Sequence, residues 1–317
     1  MGDGVMGDRV IGRTMDRTLS PDHRERSEQL PYDPRLTVRR KVKWGDLTVG
    51  AVSHILLAVL SLIAILPLAW AISSAFKSNS EIITGLSFFP EQPTLEHFRF
   101  VLDQTNFPQW LRNSLIVSLL TTLLSLLVGS MAGYAMSRWR FRARGLYGNT
   151  LLVVQMFPGV MLGIPLFLLL SNYGLIDTLG ALLVTYLTFA LAFSVWMLKG
   201  YFDNIPREIE EAALTDGANR FQVLYQILLR IAAPGITTVA VFTFLLGWNE
   251  FFFAYIFLVS PEKYTLSLGL YTFINQFTTQ WGNIMAAGVL TTLPALIFFF
   301  VLQRALTRGL IAGAMKG

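Results

Sequence analysis

Leu290 to Leu302 reads L-T-T-L-P-A-L-I-F-F-F-V-L and lies in an interval of 40 residues, between Lys263 and Arg304, that carries no Asp, Glu, Lys or Arg. Strands of a membrane barrel alternate apolar and polar side chains over roughly 10 residues. This run is apolar on every side, so it reads as a helix and excludes a barrel. Further charge-free intervals lie upstream: 30 residues between Asp46 and Lys77, 25 between Arg112 and Arg138, 32 between Arg144 and Asp177, and 21 between Asp177 and Lys199. The interval between Arg230 and Glu262 holds 31 positions, broken only by Glu250. A helical crossing needs ~20 predominantly apolar residues. The intervals therefore predict six spans, near residues 48–73, 113–137, 150–171, 180–200, 232–258 and 284–304.

Composition supports the same class. The 317 residues are 53% hydrophobic and 14% charged, against roughly 25% charged in an ordinary soluble domain. The mean hydropathy is +0.53. The expected fold is all-α, a polytopic membrane protein with six transmembrane helices. Of the 25 Lys and Arg, 21 fall on one side of the six spans and 4 on the other, Lys77, Arg99, Arg112 and Lys263. Positive charge marks the cytoplasmic side, so both termini are expected there. This distribution also assigns the basic balance to membrane orientation, and no nucleic-acid partner is expected.

Residues 1–46 mix Arg, Asp, Gly, Ser and Pro without helical or strand periodicity and read as a disordered cytoplasmic arm. Residues 47–110 then hold the first transmembrane helix and an external loop, residues 111–304 a core domain with five transmembrane helices, and residues 305–317 a cytoplasmic tail. A cleaved signal peptide is disfavoured, because the apolar run is longer than 7 to 15 residues and follows a long leader.

Catalytic patterns are missing. With zero Cys there is no disulfide framework and no thiolate chemistry. The histidines, His23, His54 and His97, are spread over the arm, the first span and an external loop, and no H-E-x-x-H occurs. There is no G-x-S-x-G elbow and no G-x-x-x-x-G-K-S/T loop to cradle nucleotide phosphates. No enzyme site, metal or cofactor is expected in this chain, and any ATP hydrolysis would belong to another polypeptide.

Between the fourth and fifth spans, Tyr201 to Pro234 reads Y-F-D-N-I-P-R-E-I-E-E-A-A-L-T-D-G-A-N-R-F-Q-V-L-Y-Q-I-L-L-R-I-A-A-P. Asp203 or Asn204 can cap a first helix, Pro206 suits its opening turn, and Glu208, Glu210 and Glu211 complement its N-terminal dipole. Gly217 can end that helix in the left-handed conformation. Asn219 can cap a second, with Phe221, Leu224, Leu228 and Ile231 on one face. Such a knob could lie on lipid, connect two spans, or dock into a protein. Five acids against four bases, counting Lys199 just before the segment, argue against a membrane-surface helix, which is rich in Lys and Arg. Ala212, Ala213 and Gly217 keep side chains small where a partner could approach.

E-A-A-L-T-D-G-A, Glu211 to Ala218, followed by Ile227 and Pro234, resembles the E-A-A loop of permease subunits of bacterial ATP-binding-cassette importers. N-S-L-I-V-S from Asn113, W-N-E-F from Trp248 and the ending A-G-A-M-K-G from Ala312 resemble the carbohydrate branch, in particular the smaller six-span maltose-type permeases. The resemblance covers about residues 48 to 317, with one departure at Arg230, where many members carry a proline. It implies the bacterial cytoplasmic (inner) membrane and import of a sugar, maltose or a malto-oligosaccharide, by alternating access. The implied partners are a second permease subunit, two cytoplasmic ATPase subunits that carry ATP and Mg, an extracytoplasmic sugar-binding protein, and the lipid membrane. It further implies a cytoplasmic coupling helix that meets an ATPase cleft through Glu210, Glu211, Ala212, Ala213, Asp216, Gly217 and Ala218, and an ATPase contact at Lys316 and Gly317.

Glu250 is the single acid inside a span, and an intramembrane charge costs a few kcal/mol or more. With Asn249 it is a candidate for the translocation path. As a proton site it would make the chain an ion-coupled secondary transporter; as a hydrogen-bonding group between helices it would not. A non-transporting structural subunit is the third class. The neighbouring rings of Phe251, Phe252, Phe253 and Tyr255 suit either sugar stacking or helix packing.

Overall fold

Apolar segments in a bilayer must satisfy their backbone groups internally, which selects helices. The computed structural model describes residues 44–85, 87–274 and 280–314, and their regular structure is helical throughout. In chain order the helices are α1 (Trp44–Ser74), α2 (Asn79–Thr84), α3 (Glu96–Asp103), α4 (Phe107–Arg138), α5 (Arg144–Met156), α6 (Gly163–Asn172), α7 (Leu179–Asp203), α8 (Arg207–Thr215), α9 (Arg220–Ile231), α10 (Ala233–Asn249), α11 (Phe252–Phe257), α12 (Leu266–Tyr271) and α13 (Trp281–Ala314). The chain divides into residues 1–62 and 63–317. Within the first unit, residues 51–62 of α1 are exposed. The arm over residues 1–43 and the tail residues Lys316 and Gly317 lie outside the described residues.

Among the described residues four helices are long and apolar enough to cross a bilayer: Gly50–Ser74, Phe107–Arg138, Leu179–Asp203 and Trp281–Gln303. Two bent pairs bring the number to six when each counts as one span. The chain is an all-α polytopic membrane protein, but two of the expected spans are not continuous helices. The third, expected over 150–171, bends by 98° between α5 and α6. Pro158 forces the preceding Phe157 out of the helical region, to φ −77° and ψ 125°. The fifth, expected over 232–258, stops at Asn249, where Glu250 turns extended at φ −68° and ψ 129°, and restarts as α11. Its other end joins α9 at an 83° bend, with Pro234 in the opening turn of α10, where its missing N–H costs nothing.

The second unit is organised around α4, which packs most extensively on α7 and then on α10; α10 in turn packs on α13, and α5 on α7. The α4–α7 approach is close because α4 presents glycine there. A Cβ on Gly129 would sit 2.8 Å from Ser194 Cβ, and one on Gly133 would sit 3.1 Å from the Lys199 amide nitrogen. Small residues at such seams are how membrane helices gain packing contact. Three buried clusters follow along these helices. One gathers Phe107, Trp110, Phe244, Trp248 and Leu266, a second Val117, Leu182, Tyr186, Phe253 and Phe257, and a third Tyr134, Leu198, Phe202, Val223 and Leu228. The third lies beneath the segment that resembles a coupling loop.

Candidate functional site

Helix α7 runs on to Asp203, so Asp203 and Asn204 close it rather than capping the next helix. Asn204 Nδ2 donates back to the Gly200 carbonyl at 2.9 Å. Ile205 is buried, Pro206 occupies the N-cap position with its ring-fixed φ of −56°, and α8 starts at Arg207 without a side-chain cap. The C-terminus of α8 is ordered by backbone chemistry. Gly217 takes φ +91°, its N–H donates to the Leu214 carbonyl at 3.1 Å, and the Ala218 N–H reaches the Ala213 carbonyl at 3.0 Å. These two bonds form a Schellman motif, which needs a residue free to adopt positive φ. Asn219 then opens α9 through a reciprocal capping box with Gln222.

Glu210 turns inward. Its carboxylate accepts from Tyr134 Oη at 2.6 Å, from Arg138 Nε at 2.8 Å and from the Arg220 guanidinium. The side chains of Glu210 and Arg138 are only 5% and 6% exposed. Arg138 also donates to the Ile205 carbonyl at 3.1 Å and to Ser137 Oγ at 3.3 Å, while Ser137 Oγ donates to Asp203 Oδ1 at 2.7 Å. Arg220 lies over the Trp139 ring, 5.6 Å from its centroid. One buried carboxylate thus ties α8 to the end of α4 and to the start of α9.

The seven expected loop residues therefore divide. Glu211, Ala212, Asp216 and Gly217 are exposed, whereas Glu210 and Ala213 are buried and Ala218 is half-buried against the same cluster. Ala213 packs on the body of the protein and leaves only Ala212 and Gly217 as small outward positions. The expected apolar face of the second helix also divides. Leu224 and Leu228 are buried, but Phe221 and Ile231 are exposed. Residues Val223–Leu228 form a π-helical turn, whose extra residue per turn breaks the 3.6-residue register.

Asn249 and Glu250 lie elsewhere. Tyr186, which holds Glu250, and Phe202, beside the Glu210 cluster, are 16 positions apart on α7, about 24 Å at 1.5 Å per residue. Glu250 Oε1 accepts from the Phe253 N–H at 2.9 Å, and Oε2 accepts from Tyr186 Oη at 2.6 Å and the Ala254 N–H at 3.2 Å. The carboxylate caps α11 and bonds it to α7. Asn249 is exposed, and its Nδ2 donates to the Leu245 carbonyl at 3.0 Å. Phe253 is buried, while Phe251 and Tyr255 stack on each other at 5.6 Å and both approach Tyr271.

A further hub escaped the sequence reading. Asp177, at φ 59°, accepts from the Val259 and Ser260 N–H groups at 2.9 Å each, from Ser260 Oγ at 2.6 Å and from Lys263 Nζ at 2.8 Å. The Lys263 ammonium, then the Ser260 donors, hold its carboxyl well below the usual carboxylate range. The available signal was only that Asp177 and Lys263 each terminate a long neutral interval.

Residues 125–312, which include α8 and both of its anchors, at the end of α4 and the start of α9, match the family model for the binding-protein-dependent transport system inner membrane component. The chain belongs to this family. The permease is 38% identical over 264 residues to the inner membrane ABC transporter permease protein YcjP of Escherichia coli, a match covering 82% of this chain and 94% of that one. It is 34% identical to the trehalose/maltose transport system permease protein MalG of Thermococcus litoralis, over 82% and 94% of the two chains. With the diacetylchitobiose uptake system permease protein NgcG of Streptomyces coelicolor it shares 32% identity over 86% and 91%. Among solved structures, a bacterial ABC transporter involved in import of the acidic polysaccharide alginate superposes with a TM-score of 0.72 at 25% identity, covering 83% of this permease and 98% of that chain. These relatives are transport permeases, and the permease is a membrane transport subunit rather than an enzyme.

Proposed function

We propose that this permease is one of two membrane subunits of an ATP-driven sugar importer and moves its substrate by alternating access. The observation that carries the reading is α8: a short helix fixed to α4 and α9 by Glu210, with Glu211, Ala212, Asp216 and Gly217 facing outward. A rigid exposed knob of this kind suits the cleft of a separate ATPase subunit, which would carry ATP and Mg. The 21-to-4 division of Lys and Arg supports a cytoplasmic position for both termini, and Lys316 and Gly317 are assigned to an ATPase contact. A sugar-binding protein would deliver substrate to the opposite face. The named substrates of the relatives, which include trehalose, maltose, maltodextrin and diacetylchitobiose, support an oligosaccharide. Maltose or a malto-oligosaccharide is the substrate we assign.

Glu250 favours this reading over ion coupling. Its oxygens already accept three hydrogen bonds that hold α11 to α7. The test is to reconstitute the complete importer and measure uptake and ATP hydrolysis with maltose, trehalose and diacetylchitobiose in turn. Stimulation by maltose supports the assignment. Uptake driven by a pH gradient without ATP would overturn it.

A further inference from the structure

A groove of about 720 Å³ opens between α5 and α7 beside the end of α4. Glycine keeps it open: a Cβ on Gly145 or Gly200 would meet nothing within 4 Å, and one on Gly148 would meet only Met136 Cε, at 3.5 Å. Arg144, Lys199, Asp203, Asn149 and Asn204 line its polar end. Lys199 is paired with Asp203, whose other oxygen takes Ser137 Oγ. Arg144 is half-buried, and its guanidinium has no hydrogen bond or ion pair among the described residues, although its charge reaches the Asp203 carboxylate. The groove therefore carries two cations against the one Asp203 carboxylate, with the guanidinium donors unfilled and the Lys199 ammonium offering three donors to a single acceptor.

The other end of the groove is apolar. Leu152 and Trp196 form its wall, and Trp196 is 53% exposed. Beyond Leu152, α5 continues with exposed Val153 and Met156. Arg144 and Lys199 are also the charges that end the neutral intervals 145–176 and 178–198, so the groove lies where the apolar spans meet the polar boundary. Trp favours that depth, and basic pockets between membrane helices accept lipid headgroups.

We propose that this groove binds an anionic phospholipid, with the phosphodiester on Arg144 and Lys199 and an acyl chain along Leu152 and Trp196. An acidic protein loop would satisfy the cations but not the apolar wall running on into membrane depth. The leaflet alone rests on the orientation assigned above, and lipid binding is read independently of transport and of the sugar.

The experiment uses the purified complete importer in nanodiscs doped with photoactivatable phosphatidylglycerol or, separately, photoactivatable phosphatidylcholine, with labelled peptides mapped by mass spectrometry. Phosphatidylglycerol should label residues 144–152 and 196–204 more strongly than phosphatidylcholine. Arg144→Gln should weaken that labelling by about tenfold, the loss of one charged hydrogen-bonding partner. Gly200→Leu, which places a side chain in the open groove, should abolish it, and co-purification of the ATPase subunits checks that each variant assembles. Equal labelling by the two lipids, or wild-type labelling in assembled Arg144→Gln, overturns the proposal. So does crosslinking of a photoreactive residue in place of Trp196 to another protein chain instead of to lipid.

Discussion

Replacing Glu210 by Ala removes the acceptor shared by Tyr134, Arg138 and Arg220. Breaking a buried ion pair costs ~3–5 kcal/mol because the remaining charge is stranded. Arg138 keeps the Ile205 carbonyl and Ser137 Oγ, which places its loss at the low end, ~3 kcal/mol. The Arg220 arm adds at most ~1 kcal/mol because that side chain is 53% exposed and its charge is solvated. A difference of ~3 kcal/mol is roughly a 100-fold increase in the population with α8 detached. Amide hydrogen exchange over residues 209–215 reads that population directly, and trypsin cleavage after exposed Arg207 gives a second readout. Glu211→Ala should leave both unchanged, since Glu211 is exposed and forms no ion pair among the described residues. Adding Arg138→Met to Glu210→Ala should recover part of the loss, as the stranded charge is removed. Exchange in Glu210→Ala within about threefold of wild type would refute the reasoning, because α8 would then be held by something other than this carboxylate.

Gly217→Val should destabilise the α8–α9 turn by ~1–2 kcal/mol through backbone strain at φ +91°; a Cβ there meets nothing within 4 Å, so no internal clash contributes. Exchange at Ala218 and sugar uptake should report it, and wild-type values for both would remove Gly217 from the coupling element. Asp177→Asn should remove an acid-sensitive contribution to stability. The folded carboxyl titrates below its unfolded value of about 3.9, so its stabilisation is complete above that pH and is lost as pH falls through the lower folded value. Melting temperatures of wild type and Asp177→Asn should differ at pH 6 and converge in strong acid; a gap that does not vary with pH would contradict this. Glu250→Gln should retain ATP-driven uptake, because the amide oxygen can still accept from Tyr186. Abolished uptake in an assembled complex with intact ATP hydrolysis would restore the proton-site reading.

Apolar length was enough to recover the class and the approximate crossings, since a run such as Leu290 to Leu302 can satisfy its backbone in lipid only as a helix. The two interruptions were not recovered by counting charges, which is blind to backbone conformation. Pro158 carried a local signal against a continuous third span, because the residue before proline avoids the helical region. Glu250 carried one as well: an acid three residues before Phe253 is placed to take its N–H and restart a helix. Gly217 and Asn219 were readable because caps are local chemistry. The inward turn of Glu210 was not, since its partner Arg138 lies 72 positions away and only the α4–α7 packing brings them together. The π-turn likewise has no 3.6-residue signature, so Phe221 and Ile231 were assigned to a face they do not share with Leu224 and Leu228.

The clamp also sets a condition on coupling. Moving a two-state transporter from 1:99 to 99:1 requires about 5.5 kcal/mol of differential interaction with its partners. ATPase closure can supply it only through contacts that differ between the two states. On the coupling role proposed for α8 that work passes through it, so the attachment of α8 to the spans must resist more than the load it carries. Ser137 to Asp203 and Arg138 to Ile205 bind α4 to the end of α7, Glu210 adds α8, and Arg220 adds α9. The four elements are thereby joined on one polar network, leaving the π-turn and the 83° bend at Ala232 as the places where movement of α9 relative to α10 can be absorbed. Removing ~3 kcal/mol from this attachment makes detachment of α8 competitive with rotation of the spans. Glu210→Ala should therefore hydrolyse ATP with less sugar moved per ATP, whereas a change confined to the exposed face of α8 should weaken ATPase association first.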